Sequence, residues 1–424
     1  MAKNKLSQRD KKHLWHPLTQ HKLHSDMLGI VKAKGALLYD ENDKEYIDGI
    51  ASWYTCMYGH CNDYIVQKTY AQMQKLDQVV FSGFTHEPAV LLSEALIAIL
   101  PENQEKLFFS DNGSTSNEIA IKMALQYHFN QGNKRNVMLA FEDGFHGDTF
   151  GAMSVSGLSV YNGPFEDFFI EVERIPVPTS ENIEAILAGL KSRLKKNNIA
   201  GFIYEPLVQG AAAMKMHDAH GLHKILSLLK QHNVLTIADE VMTGFGKTGK
   251  NFASDYIAVK PDILCMSKAL TAGLVPMAIT SCTKTVYDAF YSDEIAKGLF
   301  HGHTYTANPI ACTAALAGIE LLQSKEMQDN IERIIRSHQK FNAEIKDHPK
   351  VATTRQCGII FALDLKVKME RYGNLRDKLF HYFMDNGVFL RPLGNTIYIL
   401  APYVVSEKQM QKIYTTIKGV LDII

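Results

Sequence analysis

The sequence predicts an α/β protein, with a large, mainly parallel sheet covered by helices on both faces and a smaller α+β domain. Three observations carry this. The middle of the chain alternates short apolar runs with helix-patterned segments. Those runs are continuously apolar rather than alternating, as in strands covered on both faces. Toward the C-terminus the pattern changes to a mixture of short strands and helices.

Taken in order, ALLYDENDKEYIDG (36–49) reads as a hairpin turning at Glu41–Asp43 and joining the smaller domain. LFFS (107–110), NVMLAF (136–141), IAGFIYEP (199–206), VLTIAD (234–239), ILCMS (263–267) and PMAITSC (276–282) read as strands of the large sheet. Between them, NEIAIKMALQYHF (117–129) places Ile119, Met123 and Tyr127 on one helical stripe. The C-terminal part offers RQCGIIFALDL, LRDKLFHYFMDNG, VFLRPLG, NTIYILAPY and a final helix from about Ser406. This divides the chain into an N-terminal segment (1–60) joining the small domain, a large domain (61–310) and a C-terminal small domain (311–424).

Composition excludes several function classes. Lys+Arg and Asp+Glu both number 45 in 424 residues, so no basic surplus points to nucleic acid. The longest apolar stretch, VLLSEALIAIL (90–100), is too short for a membrane span and contains Glu94. The N-terminal MAKNKLSQRDKK lacks the apolar core of a secretory signal, so a cytoplasmic location is expected. The six cysteines form no CxxC pair and read as free thiols. Cys56, His60 and Cys61 lack a second cluster with ligand spacing, so no metal is expected.

Ligands of open parallel sheets bind beyond the carboxyl ends of the strands, so the residues after each run matter most. After LFFS comes Asp111-Asn112-Gly113-Ser114-Thr115-Ser116, then a helix. Gly113 permits a tight turn, Ser114, Thr115 or Ser116 can cap the helix, and its free N–H groups suit a phosphate. The same residues equally make an ordinary capped turn. Asp239 ends an apolar strand, where a carboxylate needs a cation, a strong donor or a capping role. Lys268 directly follows another strand, and a desolvated lysine beside a carboxylate can form a Schiff base. GFGKTG (244–249) is similar to the end of a phosphate-binding P-loop but has Val241 where glycine is needed and no following helix pattern, so it reads as a shaping loop. A lysine, an acid and a phosphate cradle on successive strand ends are the three parts that pyridoxal phosphate needs.

The run Asp239-Glu240-Val241 through Thr243-Gly244-Phe245-Gly246-Lys247-Thr248-Gly249, followed by Ser267-Lys268-Ala269-Leu270, resembles the class III (omega) aminotransferases. Leu14-Trp15-His16-Pro17, Ser52-Trp53, Phe145-His146-Gly147-Asp148-Thr149-Phe150 and Arg391-Pro392-Leu393-Gly394 resemble a branch of that family. The resemblance spans nearly the whole chain. It implies the PLP fold type I (aspartate aminotransferase-like) and a homodimer with shared active sites. It also implies amino transfer to 8-amino-7-oxononanoate from S-adenosylmethionine, in biotin synthesis, with pyridoxal 5'-phosphate as cofactor. Lysine as donor, or another ω-amino acid or diamine aminotransferase, is the alternative.

By position, the resemblance makes Lys268 the residue that holds the cofactor and shuttles a proton, and pairs Asp239 with the pyridine nitrogen. Gly113 and Ser114 would bind the phosphate. Gly302, His303 and Thr304 would reach the site from the other subunit, with Thr304 on the same phosphate. Phe145 would stack on the ring, Trp53 would wall the substrate site, and Arg391 would pair with the substrate carboxylate. Three positions depart from the family pattern. Leu18 replaces a tyrosine that contacts substrate and adenine, Phe145 replaces a frequent tyrosine, and Tyr54 replaces a second tryptophan. The rivals from other classes are a non-catalytic cofactor-binding protein, opposed by Lys268 and Asp239, and a nucleotide hydrolase, opposed by Val241.

Overall fold

The computed structural model describes residues 6–24, 27–159, 162–367 and 374–424. Strands β1 (Ile30–Lys34), β2 (Leu37–Asp40) and β3 (Glu45–Asp48) open the fold. The expected hairpin joins β2 to β3. Asp40 closes it, its Oδ1 accepting the N–H groups of Asn42 (2.8 Å) and Lys44 (3.0 Å).

The middle of the chain supplies β4 (Gln104–Ser110), β5 (Val137–Phe141), β6 (Val172–Ile175), β7 (Ile199–Tyr204) and the short hairpin strands β8 (Val208–Gln209) and β9 (Lys215–Met216). Strands β10 (Leu235–Asp239), β11 (Ile263–Met266) and β12 (Ala278–Thr283) follow. Seven of these form the large sheet, in the order β4-β12-β11-β10-β7-β5-β6. Every residue of β5, β7, β10, β11 and β12 is buried, which is why their sequences are apolar without alternation. The sheet is not wholly parallel, because β12 runs antiparallel to both β11 and β4. Apolar content reports burial on two faces and carries no sign of strand direction, so the sequence could not reveal this reversal.

The C-terminal part contains β13 (Val351–Cys357), β14 (Ile360–Leu365), β15 (Val388–Phe389) and β16 (Thr396–Ile399). Strands β13, β14 and β16 form an antiparallel sheet, while β15 pairs in parallel with β3. The ends of the chain are thereby joined in one sheet. The helix Lys325–Ile345 buries Met327, Ile331, Ile334, His338, Phe341 and Ile345, a spacing that keeps one stripe inward. The last helix, Glu407–Ile423, begins where expected, with Ser406 and Gln409 forming a capping box. Among the described residues no helix is long and apolar enough to cross a membrane.

The GFGKTG loop contains a feature that its sequence conceals. Lys247 is fully buried, and its Nζ donates to the Gly244 carbonyl at 2.6 Å. Burial pushes its ammonium down to about 7, helped by the Lys268 charge and opposed by Glu240. The folded protein therefore binds fewer protons here than the unfolded chain. The stability this group contributes is present above its ordinary value of 10.5 and is lost as pH falls through about 7. Lys247→Met removes the titration. Its melting temperature relative to the parent should be highest near neutrality and below, with the difference shrinking as pH rises toward 10. A difference independent of pH would contradict this.

Candidate active site

Strand pairing brings three loops to one edge of the large sheet. Asp239 of β10 lies opposite Cys265 of β11, while Ala278 and Ile279 of β12 lie opposite Ser110 of β4 and Met266 of β11. The segments after Ser110, Asp239 and Met266 all face a cavity of about 1270 Å³. Gly113, Ser114, Phe145, Asp239, Lys268, Trp53, Arg391 and Leu18 line it, so most of the expected site residues come together. Gly302, His303 and Thr304 do not line it. Gly302 and Thr304 are exposed, and the Thr304 carbonyl accepts a hydrogen bond from Gln78 Nε2 at 2.8 Å.

Asp239 is 3% exposed, and its carboxylate is met by three N–H donors. Asn117 Nδ2 donates to Oδ2 at 2.8 Å, His146 Nδ1 lies 2.7 Å from the same oxygen, and the Val241 N–H donates to Oδ1 at 3.1 Å. These offset the cost of burying the group. Asn117 also donates to the His146 carbonyl at 2.7 Å, so helix, loop and strand end form one unit. Glu205 lies in the same cavity wall and accepts the N–H groups of Phe145 (3.0 Å) and Gly210 (2.9 Å). Burial and the nearby Asp239 charge raise its carboxyl to about 7, against the downward pull of His146 and the two N–H donors.

The helix Gly113–Asn130 points its N-terminus into the cavity. Its cap is Asn112, not the serines or threonine considered from sequence. Asn112 Oδ1 accepts the Thr115 N–H at 3.0 Å while Thr115 Oγ1 accepts the Asn112 N–H at 3.2 Å. This leaves the N–H groups of Gly113 and Ser114 ahead of the first intrahelical bond, the arrangement that binds anions. A Cβ on Gly113 would meet Val241, and one on Gly147 (φ +127°) would meet Ser114. Both glycines keep the cradle compact.

Lys268 follows β11 in a left-handed conformation (φ 52°) and points its Nζ over the Tyr54 ring, 5.1 Å from the centroid. Burial lowers its ammonium below the ordinary lysine value, while the charges of Asp239 and Glu205 oppose the shift. Tyr54 donates its hydroxyl to Tyr398 at 3.0 Å. On another wall the Arg391 guanidinium lies 5.0 Å from the Trp53 ring centroid, a cation–π arrangement. A buried acid faces a cavity that also holds a desolvated amine, an anion cradle and a cation.

The model of the family "Aminotransferase class-III" matches residues 19–421. The chain is a class III aminotransferase. It is 41% identical to the adenosylmethionine-8-amino-7-oxononanoate aminotransferase of Synechococcus elongatus, over 97% of this chain and 98% of that protein. It is 37% identical to the enzyme of the same name from Staphylococcus aureus, over 96% and 95%. The crystal structure of a third such enzyme, from Methanocaldococcus jannaschii, superposes with a TM-score of 0.92 at 31% identity, covering 98% of each chain. An amine transaminase from an uncultivated Pseudomonas species in its PLP-bound form superposes with a TM-score of 0.90 at 25% identity, covering 96% of this chain and 98% of that one.

The cavity of this aminotransferase fits pyridoxal phosphate. Among its lining residues Lys268 would offer the amine, Asp239 the acid, Gly113 and Ser114 the phosphate donors, and Phe145 an aromatic face. His146 belongs to a run that carries the family resemblance but has no role assigned from sequence, and Asn117 and Glu205 have none either. Asn117 lies one helical turn beyond Gly113, and Glu205 ends an apolar strand just as Asp239 does, so both carried a usable signal. Replacing Asp239 with Asn should leave the circular dichroism unchanged and lower kcat about a hundredfold or more, because a neutral amide supplies no charge in a water-poor site. A near-parental kcat at neutral pH would contradict this.

Proposed function

We propose that this aminotransferase moves the amino group of S-adenosylmethionine to the ketone of 8-amino-7-oxononanoate. The product is 7,8-diaminononanoate, in biotin biosynthesis in the cytoplasm. The observation that carries the reading is the Trp53–Arg391 pair, which stands in the same cavity as Lys268 and Asp239. It offers a cation to the carboxylate of a long keto acid whose ketone lies toward the amine. Relatives with the corresponding name, at up to 41% identity over nearly the full length, support it.

Bound pyridoxal phosphate supplies an aldehyde and an electron sink for amino transfer. Lys268, lowered by burial, is the base that takes the proton from the donor α-carbon and returns one to the acceptor carbon. Asp239, fixed by Asn117 and His146, would pair with the ring nitrogen. Gly113 and Ser114 N–H groups would hold the phosphate, and Phe145 would offer its face to the ring. Arg391, ordered against Trp53, takes the substrate carboxylate. The chain is read as an N-terminal segment (1–60), a large domain (61–310) and a small domain (311–424), and the pairing of β15 with β3 supports grouping the first with the last.

A homodimer is part of the reading. Thr304 is exposed and lies outside its own chain's cavity, as a residue that serves a partner's phosphate would, together with Gly302 and His303. Sedimentation should give a dimer, and Thr304→Ala should weaken retention of the cofactor. A fully active monomer would remove this role.

Lysine as donor is the second reading, and Leu18 favours it. Leu18 lines the cavity and is 64% exposed, and it provides no aromatic face for adenine. Loss of one stacking contact weakens binding by about tenfold at most, so S-adenosylmethionine remains the first choice. The test mixes enzyme carrying pyridoxal phosphate with each donor and follows loss of the bound cofactor's absorbance. S-adenosylmethionine should bleach it, and Leu18→Tyr should lower the concentration needed. Bleaching by lysine alone would select the second reading.

A further inference from the structure

We propose that the buried Asp48 and its half-buried partner His60, acting through Ser52, are a positioning device that sets the acceptor wall of the active site. It does so by holding residues 51–54 in the left-handed turn that carries Trp53 and Tyr54. The proposal rests on the reading of Trp53 and Arg391 as the acceptor-binding wall.

Ala51, Ser52, Trp53 and Tyr54 have φ of 47°, 46°, 69° and 71°. L-residues visit this region singly, and four consecutive residues stay there only if contacts outside the turn hold them. None of the four is glycine. The turn follows β3 after Gly49 and Ile50, and the Ser52 hydroxyl ties it back to Asp48, the last residue of that strand, while the Tyr54 hydroxyl ties its other end to Tyr398.

Asp48 is fully buried. Its Oδ2 accepts the Ser52 hydroxyl at 2.8 Å and lies 2.8 Å from His60 Nε2, while its Oδ1 accepts the Ile50 N–H at 3.3 Å. Ser52 Oγ is also 3.5 Å from His60 Nε2. Burial would lower the His60 imidazole, but hydrogen bonds with Asp48 and Cys56 outweigh it and lift the ring to about 10. The two members thus meet each other's polar atoms, and each leaves the other short of a partner if it is removed.

Both members are fastened to the same sheet. The Asp48 N–H donates to the Ala36 carbonyl at 2.8 Å, and His60 exchanges two backbone hydrogen bonds with Gly35, at 2.8 and 3.0 Å. Gly49 joins the strands that lead to Arg391, donating to the Phe389 carbonyl at 3.0 Å and accepting from Leu400 at 2.9 Å. The Trp53 turn and the Arg391 segment therefore hang from one frame. Their rings and guanidinium meet at 5.0 Å only while the turn keeps its hand. The mechanism makes no use of Asp48, Ser52 or His60, since none touches the amine, the acid or the anion cradle.

The test uses holoenzyme carrying Trp15→Phe, which leaves Trp53 as the one tryptophan of the two in the chain. Into it are placed Ser52→Ala, His60→Gln and Asp48→Asn. Acceptor KM, kcat and Trp53 emission are measured. Each folded variant should raise the KM for 8-amino-7-oxononanoate about tenfold, hold kcat within about twofold, and shift Trp53 emission to the red. Lowered melting temperature with unchanged KM and emission would overturn the proposal, because the pair would then serve stability alone. A kcat that falls as far as KM rises would also overturn it. If the Asp48 and His60 variants fail to fold, Ser52→Ala decides alone, since it leaves Asp48 and His60 intact. If the parent enzyme does not use the keto acid at all, the functional reading fails. The emission of Trp53 then still decides whether the pair holds the turn.

Discussion

A carboxylate buried at the end of a central strand dictates much of the surrounding structure. Asp239 sits where the sheet offers no water, and each nearby element contributes a donor to it. The helix after β4 supplies Asn117, the loop after β5 supplies His146, and the chain's own turn supplies the Val241 N–H. Removing one donor would leave a buried charge short of a partner, so the three are mutually dependent. The same contacts fix the helix whose N-terminus forms the anion cradle. They also fix the loop that places Phe145 in the cavity. The arrangement of this side of the cavity thus follows from the need to compensate a single acid.

Electrostatics around the amine are balanced rather than extreme. Burial lowers Lys268, and Asp239 and Glu205 pull the other way. A second lysine, Lys247, lies deeper and carries no acid directly on its Nζ, which instead donates to a carbonyl. Two desolvated lysines near one another disfavour charging both, and Coulomb repulsion between them is felt because water is excluded. The GFGKTG loop turns its lysine inward onto its own Gly244 carbonyl. The Lys268 charge helps to hold the Lys247 ammonium below its ordinary value.

The sheet and the strand-end residues were legible because burial on both faces leaves an unmistakable apolar run, and because Asp239 and Lys268 interrupt such runs with charge. The final helix was legible from Ser406 for a similar local reason, its cap. What was not legible depended on pairing between distant segments. The reversed direction of β12 leaves no trace in composition. Asn112, rather than its serine and threonine neighbours, caps the helix because the strand end fixes its backbone in the extended conformation. His146 and Asn117 look like ordinary polar residues until the fold sets them against Asp239. The left-handed turn at 51–54 is hidden because nothing but tertiary support allows those residue types to adopt it. The resemblance to class III aminotransferases located Trp53 and Arg391, and the structure supplied their contact.

The central claim is that Lys268, alone among the lysines, meets the cofactor opposite Asp239. Borohydride reduction of the holoenzyme followed by peptide mass mapping tests it directly. The expected result is the reduced pyridoxyl group on the peptide containing Lys268 and on no other. Label on Lys247, or spread over surface lysines with Lys268 unmodified, would contradict it.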